Sequence, residues 1–173
     1  MESNNSSALS ILFVCHGNIC RSPAAEGALR HLIKSLGFEN RVRVDSAGTS
    51  AYHIGEIPHP DTRKAAAEAG IKLEHRARQF TAFDLERFDY ILAMDRHNYE
   101  DVLAAASSKE EQDRIYMYRK FDPEVEGSRI PDVPDPYYGG FAGFREVQSI
   151  VERTSESILE WLRAMEPVAQ QRK

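Results

Sequence analysis

The sequence predicts one α/β domain in which helices cover both faces of a parallel β-sheet, giving three layers. Short apolar segments alternate along the whole chain with segments whose apolar residues recur at helical spacing. The chain has 173 residues, which suffice for one domain with a sizeable core and are too few for two. Alternating strands and helices form βαβ units with right-handed crossovers, and ligands of such sheets bind beyond the carboxyl ends of the strands.

Four strands and four helices are expected from these patterns. The strands are placed at Leu9–Val14, Arg41–Asp45, Phe88–Met94 and Ile115–Phe121. The helices are placed at Pro23–Leu36, Pro58–Ala69, Arg96–Ala106 and Phe144–Met165. Loops are placed at Ser46–Gly55 and at Gly127–Gly143, which is rich in proline and glycine. We assign residues 1–8 to a flexible N-terminal tail, residues 9–167 to the folded domain and residues 168–173 to a C-terminal tail.

The composition is that of a globular protein, and its formal charge of −5 argues against a nucleic-acid partner, which would favour a basic face. The first eight residues lack the basic start of a signal peptide, and the apolar run after them is too short to cross a membrane. The two cysteines stand too close together to form a disulfide framework, which favours a reducing compartment. We therefore expect a cytoplasmic protein with no membrane partner.

The segment Val14–Pro23 carries the strongest chemical signal. Cys15 directly follows a buried strand, Arg21 comes six positions later, and Pro23 suits the first turn of a helix. A tight turn from a strand into a helix directs backbone N–H groups and the helix dipole at one point, which binds an anion and favours thiolate over thiol. Arg21 matches phosphate oxygens with its planar fork. The alternative is that Cys15 and Cys20 are small buried residues in an ordinary turn.

This segment, VCHGNICRSP, resembles the signature of the low-molecular-weight protein tyrosine phosphatases, V-C-x-G-N-x-C-R-S-P, and fills every fixed position. The resemblance implies a four-stranded parallel sheet of the flavodoxin-like or Rossmann-like type. It also implies hydrolysis of protein phosphotyrosine and small aryl phosphates through a cysteinyl-phosphate, with Cys15 as nucleophile and Arg21 as phosphate clamp. The expected phosphate-binding residues are His16, Gly17, Asn18, Ile19, Cys20, Arg21 and Ser22.

A general acid is needed as well, because tyrosinate is a poor leaving group at neutral pH. The candidate is Asp135, which lies on a loop stiffened by flanking prolines. The run DPYYG resembles the second signature of the family, in which the aspartate is the general acid. Asp132 is the rival from the sequence alone. The resemblance also implies that Tyr52, Tyr137 and Tyr138 wall the pocket, where aromatic stacking favours aryl phosphates.

Three residues are expected to support the loop from behind. Asn18 suits a left-handed conformation that needs its side chain held, and Ser46 and His75 are the proposed holders. His75 lies in HRARQ, which resembles an H-x-A-R-Q segment of the family. Asp95, just past the third strand, is expected to orient His75 or the loop.

Cys20 has two interpretations: a small packed residue, or a thiol that captures oxidised Cys15 as a disulfide, as the family does. No cofactor and no metal are expected, because the cysteines and histidines lack chelating spacing.

An arsenate reductase shares the loop but needs later cysteines, and none follows Cys20. The other alternative is a phosphopeptide-binding module without catalytic activity, which would need neither a thiolate nor a general acid. The expected partners are tyrosine-phosphorylated proteins, and a cognate tyrosine kinase is left open.

Overall fold

The computed structural model describes residues 8–170, with side chains up to residue 165. Residues 1–7 of the predicted N-terminal tail and residues 171–173 of the predicted C-terminal tail lie outside the described residues. Residues 168–170, also assigned to that C-terminal tail, continue the last helix. The predicted α/β class is confirmed: one sheet of four parallel strands is covered by helices on both faces.

The sheet has the strand order β2-β1-β3-β4, so its two central strands are β1 and β3. The strands are β1 Leu9–Cys15, β2 Val42–Gly48, β3 Tyr90–Ala93 and β4 Ile115–Met117. The helices are α1 Arg21–Ser35, α2 Pro60–Glu68, α3 Phe83–Arg87, α4 Arg96–Ala105, α5 Lys109–Gln112 and α6 Phe141–Gln170, and a 3-10 helix covers Tyr118–Phe121. The order reverses direction at β1, and the crevice at such a switch point is where ligands bind.

Strand β1 supplies both layers of the core because successive side chains point to opposite faces. Ile11 and Phe13 pack in the cluster that contains the buried residues of α1 and α6. Leu12 and Val14 pack in the opposite cluster, which includes Leu85 of α3. β1 is therefore apolar on both faces, as expected for a central strand of a parallel sheet.

Several predicted boundaries are wrong, and packing explains them. Ser46, placed in a loop, lies within β2 and pairs with Phe13 of β1, so the strand continues to the rim of the sheet. β4 ends at Met117, where the chain turns into the 3-10 helix that buries Tyr118 against Phe13. The last helix begins at Phe141 instead of Phe144. The short helices α3 and α5 were not predicted.

Candidate active site

The predicted anion loop joins β1 to α1 at the carboxyl edge of the sheet. Cys15 is the last residue of β1, and Cys20 immediately precedes α1. Between them Asn18 has a φ of 57°, the only positive φ of a non-glycine residue in the described part of the chain. Gly48 of the neighbouring strand allows this turn, because a Cβ there would lie 2.7 Å from the His16 carbonyl oxygen. The backbone is thus held in a tight arc around the sulfur.

Two donors face the Cys15 sulfur. The Asn18 amide N–H donates to Sγ at 3.3 Å, and Ser22 Oγ lies 2.9 Å from Sγ. Ser22 Oγ also accepts a hydrogen bond from Asn18 Nδ2 at 2.8 Å, which leaves the Ser22 hydroxyl proton free to point at the sulfur. The sulfur of Cys15 is therefore placed to accept hydrogen bonds from the loop backbone and from Ser22.

The Asn18 side chain is held by four hydrogen bonds. Its Nδ2 donates to Ser22 Oγ and, at 3.0 Å, to Ser46 Oγ. Its Oδ1 accepts from His75 Nε2 at 2.7 Å and from the Arg78 backbone N–H at 3.0 Å. The structure therefore brings Asn18, Ser46 and His75 together.

Glu26 completes this support, and the sequence analysis missed it. It is buried in α1, where its Oε1 accepts from Ser46 Oγ at 2.9 Å and lies 3.1 Å from His75 Nδ1. Nothing in the local sequence distinguishes Glu26 from the exposed glutamates of a helix. Only the crossing of α1 over β2 brings it to the serine and the histidine.

The Arg21 guanidinium is buried and is held by hydrogen bonds. Its Nη1 donates to Asp95 Oδ2 at 2.7 Å and to the Val133 carbonyl oxygen at 3.3 Å. Burial alone would lower the pKa of Arg21, but Cys15, Asp95 and Asp135 raise it above its ordinary value. Asp95, which also caps the N-terminus of α4, thus contacts the arginine of the loop and not His75.

The two candidate acids occupy different positions. Asp135 Oδ2 lies 3.8 Å from Arg21 Nη2, and its side chain is 50% exposed. Asp132 instead uses Oδ1 to accept the Arg96 backbone N–H at the start of α4. Its carbonyl oxygen accepts from Arg119 Nη1. Of the two, Asp135 is the carboxylate near the Arg21 guanidinium, and Asp132 anchors the loop that carries Asp135.

The three predicted wall residues are all exposed. Tyr137 and Tyr138 follow Asp135 after Pro136, and their rings meet edge to face at 4.9 Å between centroids. Tyr52 is 80% exposed and its ring lies 6.0 Å from that of His16 in the loop. Tyr52 and Tyr138 are largely exposed, whereas the Tyr137 ring also lies near His53 and His59.

The family model of the low molecular weight phosphotyrosine protein phosphatases matches residues 10–168. The chain belongs to this family. It is a phosphatase of the type that the loop signature suggested, and a hydrolase. Among its relatives, the low molecular weight protein-tyrosine-phosphatase of Streptomyces coelicolor is 40% identical over 149 residues, which cover 86% of this chain and 90% of that protein.

Solved structures of the family share the fold of this phosphatase. YfkJ from Bacillus subtilis superposes with a TM-score of 0.85 at 38% identity, covering 94% of this chain and 99% of that one. The protein tyrosine phosphatase of Entamoeba histolytica, with Hepes in its active site, also gives 0.85, at 35% identity over 91% of this chain and 98% of that one. Within the described residues of the present phosphatase, no helix is both long and apolar enough to cross a membrane.

Cys20 of the phosphatase is buried beside Thr62 and packs with Ile19 and Phe144. Burial raises the pKa of its thiol to about 12, and the hydrogen bond of Thr62 offsets only part of that shift. Cys15 and Cys20 are both free thiols. At neutral pH Cys20 is therefore protonated and packed.

One group of the described residues has the ligand types and spacing for a metal ion: Glu26, Asp45 and His75, whose ligand atoms lie within 4.8 Å of one another. Both ring nitrogens of His75 already face partners, Glu26 and Asn18, and Arg78 donates to Asp45 at 3.0 Å. These contacts belong to the group of residues that holds the Asn18 side chain. That the phosphatase needs no metal stays a prediction.

Proposed function

We propose that the phosphatase hydrolyses phosphotyrosine in proteins by transferring the phosphoryl group to Cys15. The observation that carries this proposal is the sulfur of Cys15, which faces two hydrogen-bond donors in a loop closed by a buried arginine. A binding module needs a cradle for the phosphate but no stabilised thiolate. The donors to the sulfur therefore favour nucleophilic catalysis over binding alone.

In the first step the Cys15 thiolate attacks phosphorus in line with the bond to the phenolic oxygen. The backbone amides from His16 to Ser22 and the Arg21 guanidinium hold the three equatorial oxygens, where negative charge is spread in the transition state. Asp95 supports the clamp by fixing Arg21 through a hydrogen bond of 2.7 Å. The S–P bond forms as the P–O bond to tyrosine breaks.

Asp135 gives its proton to the departing phenolic oxygen, so that tyrosine leaves as the neutral phenol. Its position 3.8 Å from Arg21 and its half-exposed side chain suit a group that must reach the substrate and exchange protons with water. In the second step the ionised Asp135 takes a proton from a water molecule as that water attacks the cysteinyl-phosphate. Inorganic phosphate and the Cys15 thiolate are the products.

The substrates we propose are tyrosine-phosphorylated proteins and small aryl phosphates. The exposed rings of Tyr52, Tyr137 and Tyr138 are the proposed contacts of the substrate phenyl ring, and aromatic contacts contribute about 0.5–1.5 kcal/mol beyond burial. A protein tyrosine kinase is the class of enzyme that makes such substrates. Two free thiols, one of them the nucleophile, suit the reducing conditions of the cytoplasm.

Cys20 is proposed as the thiol that protects Cys15 from irreversible oxidation. A peroxide converts the Cys15 thiolate to a sulfenic acid, and Cys20 then attacks that sulfur, releasing water and forming a disulfide. Because Cys20 is protonated at neutral pH, its attack is slow unless the loop opens. The disulfide is expected under sustained oxidation.

Two variants test the mechanism. Cys15→Ser should abolish hydrolysis of 4-nitrophenyl phosphate and keep vanadate binding, since the amides and Arg21 remain. Asp135→Ala should lower kcat/KM for phosphotyrosine by about 10²–10⁴-fold and kcat/KM for 4-nitrophenyl phosphate much less, because 4-nitrophenolate leaves without a proton. The comparison uses kcat/KM because breakdown of the cysteinyl-phosphate, which also needs Asp135, is common to both substrates and affects kcat. Asp132→Ala is the matched control and should lower kcat/KM for both substrates equally. Activity in Cys15→Ser, or equal losses of kcat/KM on both substrates in Asp135→Ala, would contradict the assignment.

A further inference from the structure

We propose that a basic groove beside the catalytic opening binds an acidic segment of the substrate protein. The inference rests on the proposed function and adds to it the class of sequence that flanks the phosphotyrosine. The groove consists of two adjoining cavities of about 540 and 720 Å³. Both are lined by Ile57, Pro60 and Arg63, so they form one continuous depression along α2. We call it the α2 groove.

The α2 groove begins at the catalytic site. Its first cavity is lined by Ile19 of the phosphate loop and by Tyr137, two residues after the proposed general acid. A peptide whose phosphotyrosine enters the loop therefore passes Tyr137 on leaving the opening. The residues next to the phosphotyrosine have the α2 groove directly in their path.

The α2 groove is positively charged although the chain as a whole carries a formal charge of −5. Four of its lining residues are cationic: Arg63, Lys64, Lys72 and Arg76. Its single lining carboxylate, among the described residues, is Glu56, whose Oε2 lies 2.7 Å from His53 Nδ1. Cations gathered on an otherwise acidic protein favour an anionic ligand.

The two arginines are oriented by the backbone rather than neutralised. Arg63 Nε donates to the Pro58 carbonyl oxygen at 3.0 Å, and Arg76 Nη1 donates to the Gly55 carbonyl oxygen at 3.0 Å. Within residues 8–165, neither arginine forms an ion pair with a carboxylate. Each guanidinium is therefore held in place with N–H donors still available to a carboxylate of a bound chain.

An acidic polypeptide suits this groove better than a second phosphate. The lining combines separated cations with apolar surface, including Ile57, which is 48% exposed. Glutamate and aspartate side chains spaced along an extended chain match separated arginines, and each exposed pair changes affinity by about 1.4- to 5-fold.

The test compares two phosphotyrosine peptides that differ only in having glutamate or glutamine at the positions flanking the phosphotyrosine. At low ionic strength the wild-type enzyme should hydrolyse the glutamate peptide with a kcat/KM about three- to tenfold higher, mainly through KM. The preference should shrink as salt is added, since exposed charges are screened over about 8 Å at physiological ionic strength. The ratio for the two peptides is the readout, so a general change in activity cancels.

Arg63→Glu/Arg76→Glu should abolish or reverse this ratio. The matched control is Lys34→Glu/Arg87→Glu, which changes the net charge equally. Its residues lie in the last turn of α1 and at the end of α3, at the amino edge of the sheet. The control should keep the wild-type ratio.

Three outcomes would overturn the inference. They are a wild-type ratio near one, an unchanged ratio in the groove variant, and an equal loss of the ratio in both double variants, which would assign the preference to net charge. In each case phosphotyrosine hydrolysis would still stand. Failure of the wild-type enzyme to hydrolyse either peptide or 4-nitrophenyl phosphate would instead overturn the proposed function.

Discussion

Replacing Asn18 with alanine tests whether its side chain holds the catalytic loop. The change removes four hydrogen bonds, to Ser22, Ser46, His75 and the Arg78 backbone, and leaves a Cβ at a φ of 57°. At about 0.5–1.5 kcal/mol for each hydrogen bond, the side chain contributes about 2–6 kcal/mol to the free energy of unfolding. Alanine in the left-handed region costs about 1–2 kcal/mol more, whereas glycine does not.

Asn18→Gly therefore separates the two effects. It loses the same four hydrogen bonds as Asn18→Ala but keeps the backbone free to adopt the turn. Urea unfolding should give both variants a free energy of unfolding at least about 2 kcal/mol below that of the wild type. The value for Asn18→Ala should be about 1 kcal/mol below that for Asn18→Gly. Both should lose at least about tenfold in kcat/KM for 4-nitrophenyl phosphate, because the loop amides are no longer held around the phosphate.

Asn40→Ala is the control for this pair, since Asn40 is exposed in a turn after α1. It should leave both the stability and the activity near the wild-type values. The reasoning is refuted if the free energies of unfolding of Asn18→Ala and Asn18→Gly lie within about 0.5 kcal/mol of the wild-type value. It is also refuted if their kcat/KM is unchanged, because the loop would then hold its shape without the side chain.

Two further predictions concern buried groups. Burial would raise the pKa of Asp122, but hydrogen bonds from Arg153, the Glu124 amide and Arg119 outweigh burial and hold this pKa below its ordinary value. The ionised carboxylate therefore stabilises the fold fully at neutral pH. This stabilisation is lost as the pH falls through the pKa of Asp122 in the folded state. Asp122→Asn should lower the free energy of unfolding by about 3–5 kcal/mol at neutral pH and by much less in acid, and a loss independent of pH would contradict this. Because burial raises the pKa of Cys20 to about 12, iodoacetamide at neutral pH should label Cys15 and spare Cys20 in a peptide mass spectrum, and phosphate should protect Cys15. Labelling of both at similar rates would show that Cys20 is not held as a packed thiol.

The sequence predicts the class of fold and the centre of the site because both rest on local patterns. Alternating apolar segments indicate the layers, and the spacing from Cys15 to Arg21 follows from one turn between a strand and a helix. The sequence predicts a loop at Ser46, yet Ser46 lies in β2, where its Oγ accepts a hydrogen bond from Asn18 Nδ2 at 3.0 Å. Ser46 reaches Asn18 because it lies towards the carboxyl end of the second strand, and not because it belongs to a loop.

Residues joined by contacts between distant segments could not be found in the same way. Glu26 meets His75 only because α1 crosses β2 and the segment after α2 returns to it. Asp95 was assigned to His75 or the loop, and only the packing of α4 against the sheet directs its carboxylate to Arg21. No local sequence pattern marks Arg63 and Arg76 as neighbours, because the α2 groove forms only when α2 packs beside the loop.

Trapping the cysteinyl-phosphate tests the central claim most directly. Asp135→Ala should slow the breakdown of the intermediate, because the base for water is gone, while 4-nitrophenyl phosphate still forms it without an acid. Acid quenching of this variant during turnover, followed by peptide mapping, should find phosphate on the peptide that contains Cys15. Turnover with no covalent phosphate on that peptide, or with phosphate on another residue, would contradict the account.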